Sequence, residues 1–133
     1  MVAEPTTNSM SASKRLDLAA EFMLAFNHHD TDKILSFMSA NPVWEFATGP
    51  DPDGFMHRGP AAVRAVIESS VKNFPDVSYE TLRTYAAGDS VIIEILIVSP
   101  SKNLKYHAAD FVTFDGDDKI AIKRTYRKVV TPQ

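Results

Sequence analysis

Apolar residues recur at three- and four-residue spacing early in the chain. Leu16, Ala19, Ala20, Met23 and Phe26, flanked by Phe22, predict a helix over Ser13 to His28 with one buried stripe. The preceding residues 1–12 are rich in Ser, Thr, Pro and Asn without periodicity, which predicts a flexible arm ahead of a single domain over 13–133. A second, shorter helix follows. Asp30 or Thr31 can cap it, Ile34, Leu35 and Met38 supply its buried side, and Asn41-Pro42 stops it. Val43 to Ala47 alternates like a strand, and a loop with a short strand around Phe55 to His57 leads to Gly59-Pro60. Pro60 opens the clearest helix, in which Val63, Val66, Ile67, Ser70, Val71 and Phe74 share one face before Pro75 ends it. Strands are predicted over Val77 to Tyr85, Ser90 to Val98, Leu104 to Phe114 and Lys119 to Val130. Their short connections favour antiparallel hairpins. Helices ahead of a meander make an α+β domain whose helices cover one face of a curved sheet.

Composition narrows the function classes. The 133 residues suit one domain, with 44% apolar and 23% charged residues. A net charge of -3 without a basic block argues against nucleic acid as a partner. No apolar run approaches the roughly 18 residues of a membrane span, and the polar N-terminus lacks a signal-peptide hydrophobic region, so a cytoplasmic protein with no membrane partner is expected. Zero cysteines exclude thiol catalysis, thiolate metal sites and disulfides.

The stretches NHHDTDKILSFMSANPVWEF, HRGPAAVRAVI and ADFVTFDGDDKI, in this order among these elements, resemble the NTF2-like superfamily, especially its SnoaL-like and ketosteroid-isomerase-like members. The resemblance covers roughly residues 14 to 129. It implies an NTF2-like cone: a strongly bent, mixed but mainly antiparallel sheet whose concave face is covered by three helices from the N-terminal half. It also implies a small hydrophobic molecule as ligand, no cofactor, and a homodimer formed through the outer sheet face. Asp110 falls on the oxyanion-hole acid of the isomerases. The position of their proton-shuttling aspartate holds Phe46, and that of their helix-one tyrosine holds Phe22. Steroid isomerisation is therefore not expected. SnoaL-like polyketide cyclases, which the chain resembles better, use one aspartate on this strand as acid and base for ring closure. The expected activity is that of a cofactor-independent isomerase, cyclase or lyase acting on a small carbonyl or polyketide-like compound. The alternative is a non-catalytic binding or dimerisation module of the same fold.

Asp110 is thus the candidate catalytic residue. An apolar, aromatic cavity disfavours a carboxyl's charged form and brings proton transfer within working pH. Phe22, Phe26, Trp44, Phe46, Ile67, Tyr106 and Val112 are the candidate walls, with His57 near the mouth and Arg124 beside the acid. Pairing of Phe114 with Ile120 would set Asp110 opposite Arg124, and a slip of one residue would set it opposite Lys123. Either cation could make Asp110 a structural ion pair instead. Glu45, next to Trp44 and Phe46, should point away from the cavity. His28-His29-Asp30 fits a solvated helix end better than a metal site, because adjacent residues there diverge. His107 should face outward near Glu94. The Asp51-Pro52-Asp53-Gly54 segment lacks the later ligands of a calcium loop and reads as a turn, so no metal is expected.

Overall fold

The computed structural model describes residues 4–132, with side chains from residue 11 onward. Three helices, α1 (Glu4–Asn27), α2 (Thr31–Ser36) and α3 (Pro60–Asn73), accompany six strands: β1 (Met38–Asp51), β2 (Gly54–Arg58), β3 (Ser78–Ala87), β4 (Ser90–Ser99), β5 (Leu104–Phe114) and β6 (Ile120–Arg127). One sheet runs in the order β2-β1-β6-β5-β4-β3, with β1 and β6 parallel and every other neighbour antiparallel. This is the mixed, mainly antiparallel sheet of an NTF2-like cone. On its concave side, α1 packs on β3 and β4 while α3 packs on β1 and β2.

The apolar stripes explain the packing. Phe22 and Met23 of α1, Ile34 of α2, and Val63 and Ile67 of α3 meet Val91, Ile93 and Ile95 of β4 and Val112 and Phe114 of β5 in one core. On β5, burial alternates from Ala108 through Asp110 and Val112 to Phe114, so these side chains share the concave face. Asn27 fastens the end of α1 to an edge strand. Its Nδ2 donates to Tyr79 O and its Oδ1 accepts from Tyr79 N, both at 2.8 Å.

Several boundaries differ from expectation. α1 begins at Glu4 rather than Ser13, so the described part of the expected flexible arm, residues 4–12, is helical. Absence of apolar periodicity removes only the reason to pack. Once a helix is nucleated, extending it costs little, and Pro5 is tolerated in the first turn. Met38 begins β1 instead of closing α2, whose last residue is Ser36. β1 continues to Asp51 despite Pro42, because its register with β6 shifts between Met38 and Val43 and the proline lies in that irregular stretch. β6 stops at Arg127, before Lys128 to Val130. At the β1–β2 turn, Gly54 has φ +76°, and a side chain there would run into the Phe46 carbonyl, so the close approach requires glycine.

Candidate functional site

The register of β5 and β6 decides what Asp110 meets. Phe114 does pair with Ile120, but the register then shifts so that Thr113 faces Ile122 and Ala121 is left over. Asp110 is consequently opposite Thr125, neither Arg124 nor Lys123. The same shift turns Lys123 and Thr125 toward the concave face. Arg124 points outward, where its Nε lies 3.0 Å from Glu45 Oε2 on β1. The expectation that Arg124 lines the cavity is thereby corrected. Glu45 faces away from Trp44 and Phe46, as strand alternation requires.

Around Asp110 the polar groups form a short chain of contacts. Thr125 Oγ1 donates to Asp110 Oδ1 at 2.6 Å and accepts from Lys123 Nζ at 2.9 Å, while Lys123 Nζ stands 3.4 Å from the same carboxylate oxygen. The direct ion pair is longer than the roughly 2.8 Å of a charge-assisted hydrogen bond. The ammonium also sits 4.3 Å from the centre of the Trp44 ring and 5.7 Å from that of Phe26. Aromatic faces attract a cation and replace part of its lost hydration. Asp110 is 5% exposed and Lys123 6%. Asp110 Oδ2 accepts no hydrogen bond from a described residue.

These groups border a cavity of about 330 Å³ between the sheet and the helices. Phe26, Trp44, Phe46, Ile67 and Tyr106 line it together with Asp110, Lys123 and Thr125. Besides Arg124, two expected wall residues and the residue expected at the mouth do not. Phe22 is fully buried in the core, edge-on to Phe26 at 5.0 Å and Phe37 at 6.0 Å. Val112 is likewise fully buried, one step along β5 from Asp110 on the side away from Tyr106. The Val112 end of β5 is thus packed into the core, and the cavity lies toward the Tyr106 end. His57 is the third: it shares the hairpin face of Trp44 but is wedged between Phe55, stacked at 4.5 Å, and Phe46, edge-on at 5.0 Å. Its Nε2 is buried without a hydrogen-bond partner among the described residues.

The cavity also contains Thr125, Tyr79 and Arg127, which the sequence did not single out, and His29, which was expected only at a solvated helix end. Burial pushes the Tyr79 phenol up to about 12, with smaller contributions from Tyr106 and from the negative charge of Asp110. Tyr106 is raised too, again chiefly by burial. A polar period of two along Lys123, Thr125 and Arg127 was the available signal, visible only once β6 is known to turn that set inward. His29 has φ 54°, and its Nε2 contacts Val77 O at 2.9 Å, whereas Asp30 caps α2 by accepting from Lys33 N. On the outer face, His107 helps to keep the Glu94 carboxyl below its usual range, behind the dominant hydrogen bond from Arg83.

This geometry can be set beside known proteins. A comparison with the curated proteins finds no match. Among solved structures, a SnoaL-like protein of unknown function from Burkholderia thailandensis is 24% identical, with 86% of this chain and 94% of that one covered at a TM-score of 0.72. The epoxide hydrolase/cyclase-like enzyme SalBIII, of pyran ring formation in the polyether salinomycin, is 25% identical over 88% of this chain and 92% of its own, with a TM-score of 0.72. A protein from Sinorhizobium meliloti, named as a candidate polyketide cyclase, is 18% identical over 82% and 93%, with a TM-score of 0.71. The fold is shared with an NTF2-like protein of unknown function from Mesorhizobium loti, 21% identical over 89% of this chain and 93% of that one at a TM-score of 0.74. The sequence pattern of the SnoaL-like domain itself matches residues 19–122, spanning α1 to β6, and the chain belongs to that family.

Proposed function

We propose that the cavity binds a small, largely apolar carbonyl compound and that the protein acts on it as a cofactor-independent isomerase, cyclase or lyase, with Asp110 transferring the proton. The observation that carries this reading is the state of the Asp110 carboxylate: one oxygen is held by Thr125 and approached by Lys123, while the other is unspent beside a partly apolar cavity. An ionised carboxylate in that position is suited to act as a base. It would remove a proton from the carbon next to a carbonyl, and the Lys123 ammonium would stabilise the negative charge that develops on the carbonyl oxygen. The names of two structural neighbours, a candidate polyketide cyclase and an epoxide hydrolase/cyclase-like enzyme, support this reaction class.

A second reading has one observation in its favour. The Asp110–Lys123 pair is buried at both ends, as in an ion pair kept only for structure, and the cone would then serve as a non-catalytic binding module. The two readings separate in deuterium oxide. With a phenyl alkyl ketone as probe, the protein should accelerate exchange of the protons next to the carbonyl, followed by NMR. Asp110→Asn should lower the exchange rate by about 10²- to 10⁴-fold, the usual worth of a positioned general base. Equal exchange by wild type, Asp110→Asn and buffer, with both proteins folded, favours the binding module. For the outer sheet face we propose a second copy of the chain as partner, because Leu82, Tyr85 and Tyr126 are exposed there. Light scattering should then give twice the chain mass, and a monomer at every concentration rejects it.

A further inference from the structure

Charge is unevenly distributed between the chain and its cavity. The whole chain carries -3. The charged residues lining the cavity, by contrast, are one carboxylate, Asp110, and two cations, Lys123 and Arg127. Lys123 is matched by Asp110 at 3.4 Å. Among the described residues, Arg127 has no carboxylate within ion-pair distance and makes no side-chain hydrogen bond. Its guanidinium is nevertheless held in place, with Cζ 4.2 Å from the centre of the Tyr106 ring. Stacking occupies the flat face of a guanidinium and leaves its N–H edges unspent, and those edges fit a carboxylate with two parallel hydrogen bonds. Arg127 follows Thr125 by two residues on the same face of β6, a separation of about 7 Å along the strand.

Resting on the small-molecule reading above, we propose that the ligand is a carboxylic acid: its carboxylate sits on Arg127 at the cavity mouth, its apolar body lies along Trp44 and Phe46, and its carbonyl end reaches Asp110 and Lys123. A single surplus cation suits a monoanion. A phosphate monoester, at roughly -1.5 to -2 near neutral pH, would leave charge uncompensated in a cavity whose other cation is already matched.

The test uses two probes of nearly the same shape, benzoylpropionate and its methyl ester, measured by calorimetry at low salt. Ester binding reports whether the cavity takes carbonyl compounds at all, and the difference between acid and ester reports the carboxylate contact. Wild type should bind the acid roughly tenfold more tightly, as expected for one charge-assisted contact. Arg127→Gln should bring the acid-to-ester affinity ratio down to about one, and Arg127→Lys should keep part of the preference. Equal binding of acid and ester by wild type overturns the proposal and leaves the cavity reading standing. An acid preference that survives Arg127→Gln, in a variant with an unchanged melting temperature, also overturns it. Binding of neither probe removes the cavity reading and the proposal together.

Discussion

Lys123 and Arg124 are neighbours in the chain, and each meets a carboxylate on an adjacent strand, yet the two pairs differ in kind. Arg124 and Glu45 join β6 to β1 on the outer face at 3.0 Å, with the guanidinium side chain 41% exposed. Lys123 and Asp110 join β6 to β5 on the concave face, both side chains below a tenth exposed, with Thr125 between them and an aromatic ring beneath the ammonium. Water reaches the Arg124 end of the outer pair, while its Glu45 end and both ends of the inner pair are buried, so the inner pair carries the larger desolvation cost. Each carboxylate has one oxygen that accepts no hydrogen bond from a described residue, Oδ2 of Asp110 and Oε1 of Glu45. The cavity is what separates the two pairs: Asp110 and Lys123 border it, and Glu45 and Arg124 do not. That position distinguishes a candidate site from a staple.

The comparison breaks most readily at Lys123. Lys123→Met leaves the Asp110 charge without its cation and should cost about 3 kcal/mol in urea unfolding, as for a broken buried pair. Asp110→Asn in the same chain should recover most of that loss, since it removes the stranded charge. If Lys123→Met unfolds like wild type, the inner pair is no more stabilising than the outer one. Thr125→Val should cost less, about 1.5 kcal/mol, because the hydrogen bond to a charged acceptor is lost while Lys123 can move onto Asp110 directly. On the outer face, Arg124→Gln should cost about 1 kcal/mol or less, and the loss should shrink further in high salt. A salt-independent effect at Arg124 larger than that at Thr125 would invert the contrast between the faces.

Much of this arrangement was legible in the chain. The stripe of Val63, Val66 and Ile67 and the short hairpin connections have one-residue or short-range causes, and they predict helices on one face of a curved sheet; the cone and the place of Asp110 in it came from the resemblance carried by stretches such as ADFVTFDGDDKI. The partner of Asp110 was not legible, because it depends on a single leftover residue, Ala121, after the correctly paired Phe114 and Ile120. Nothing in the local composition of KIAIKRT marks that irregularity, yet it selects which of two adjacent cations enters the cavity. Phe22 and Val112 misled for a related reason. Apolar alternation identifies the inward face, but the depth at which packing stops and the hollow begins is set by all the elements together. Arg127 and Tyr79 belong to the same class, polar tips whose place depends on where β6 and the α1–β3 tie deliver them.

Tyr79 offers the gentlest probe of the inner face, with almost no effect at neutral pH. Its phenol lies among Phe26, Tyr106 and the Asp110 charge, and its pKa is raised to about 12 from the ordinary 10. A raised folded-state pKa means that the native protein favours the neutral phenol. The associated stability is fully present below pH 10 and is lost as pH rises from there toward about 12. Wild type should therefore lose stability across that window more steeply than Tyr79→Phe, which carries no ionisable group there. Phenolate absorbance should show two tyrosines, Tyr79 and Tyr106, ionising late in wild type, and the Tyr79 step should be missing in the variant. Asp110→Asn should move that ionisation slightly downward, by removing the smaller, electrostatic part of the shift while leaving burial in place. Arg124→Gln changes a charge on the opposite face and should leave it where it was. If both variants shift it equally, Tyr79 senses only the overall charge of the protein, and the inner carboxylate loses its claim to a separate environment.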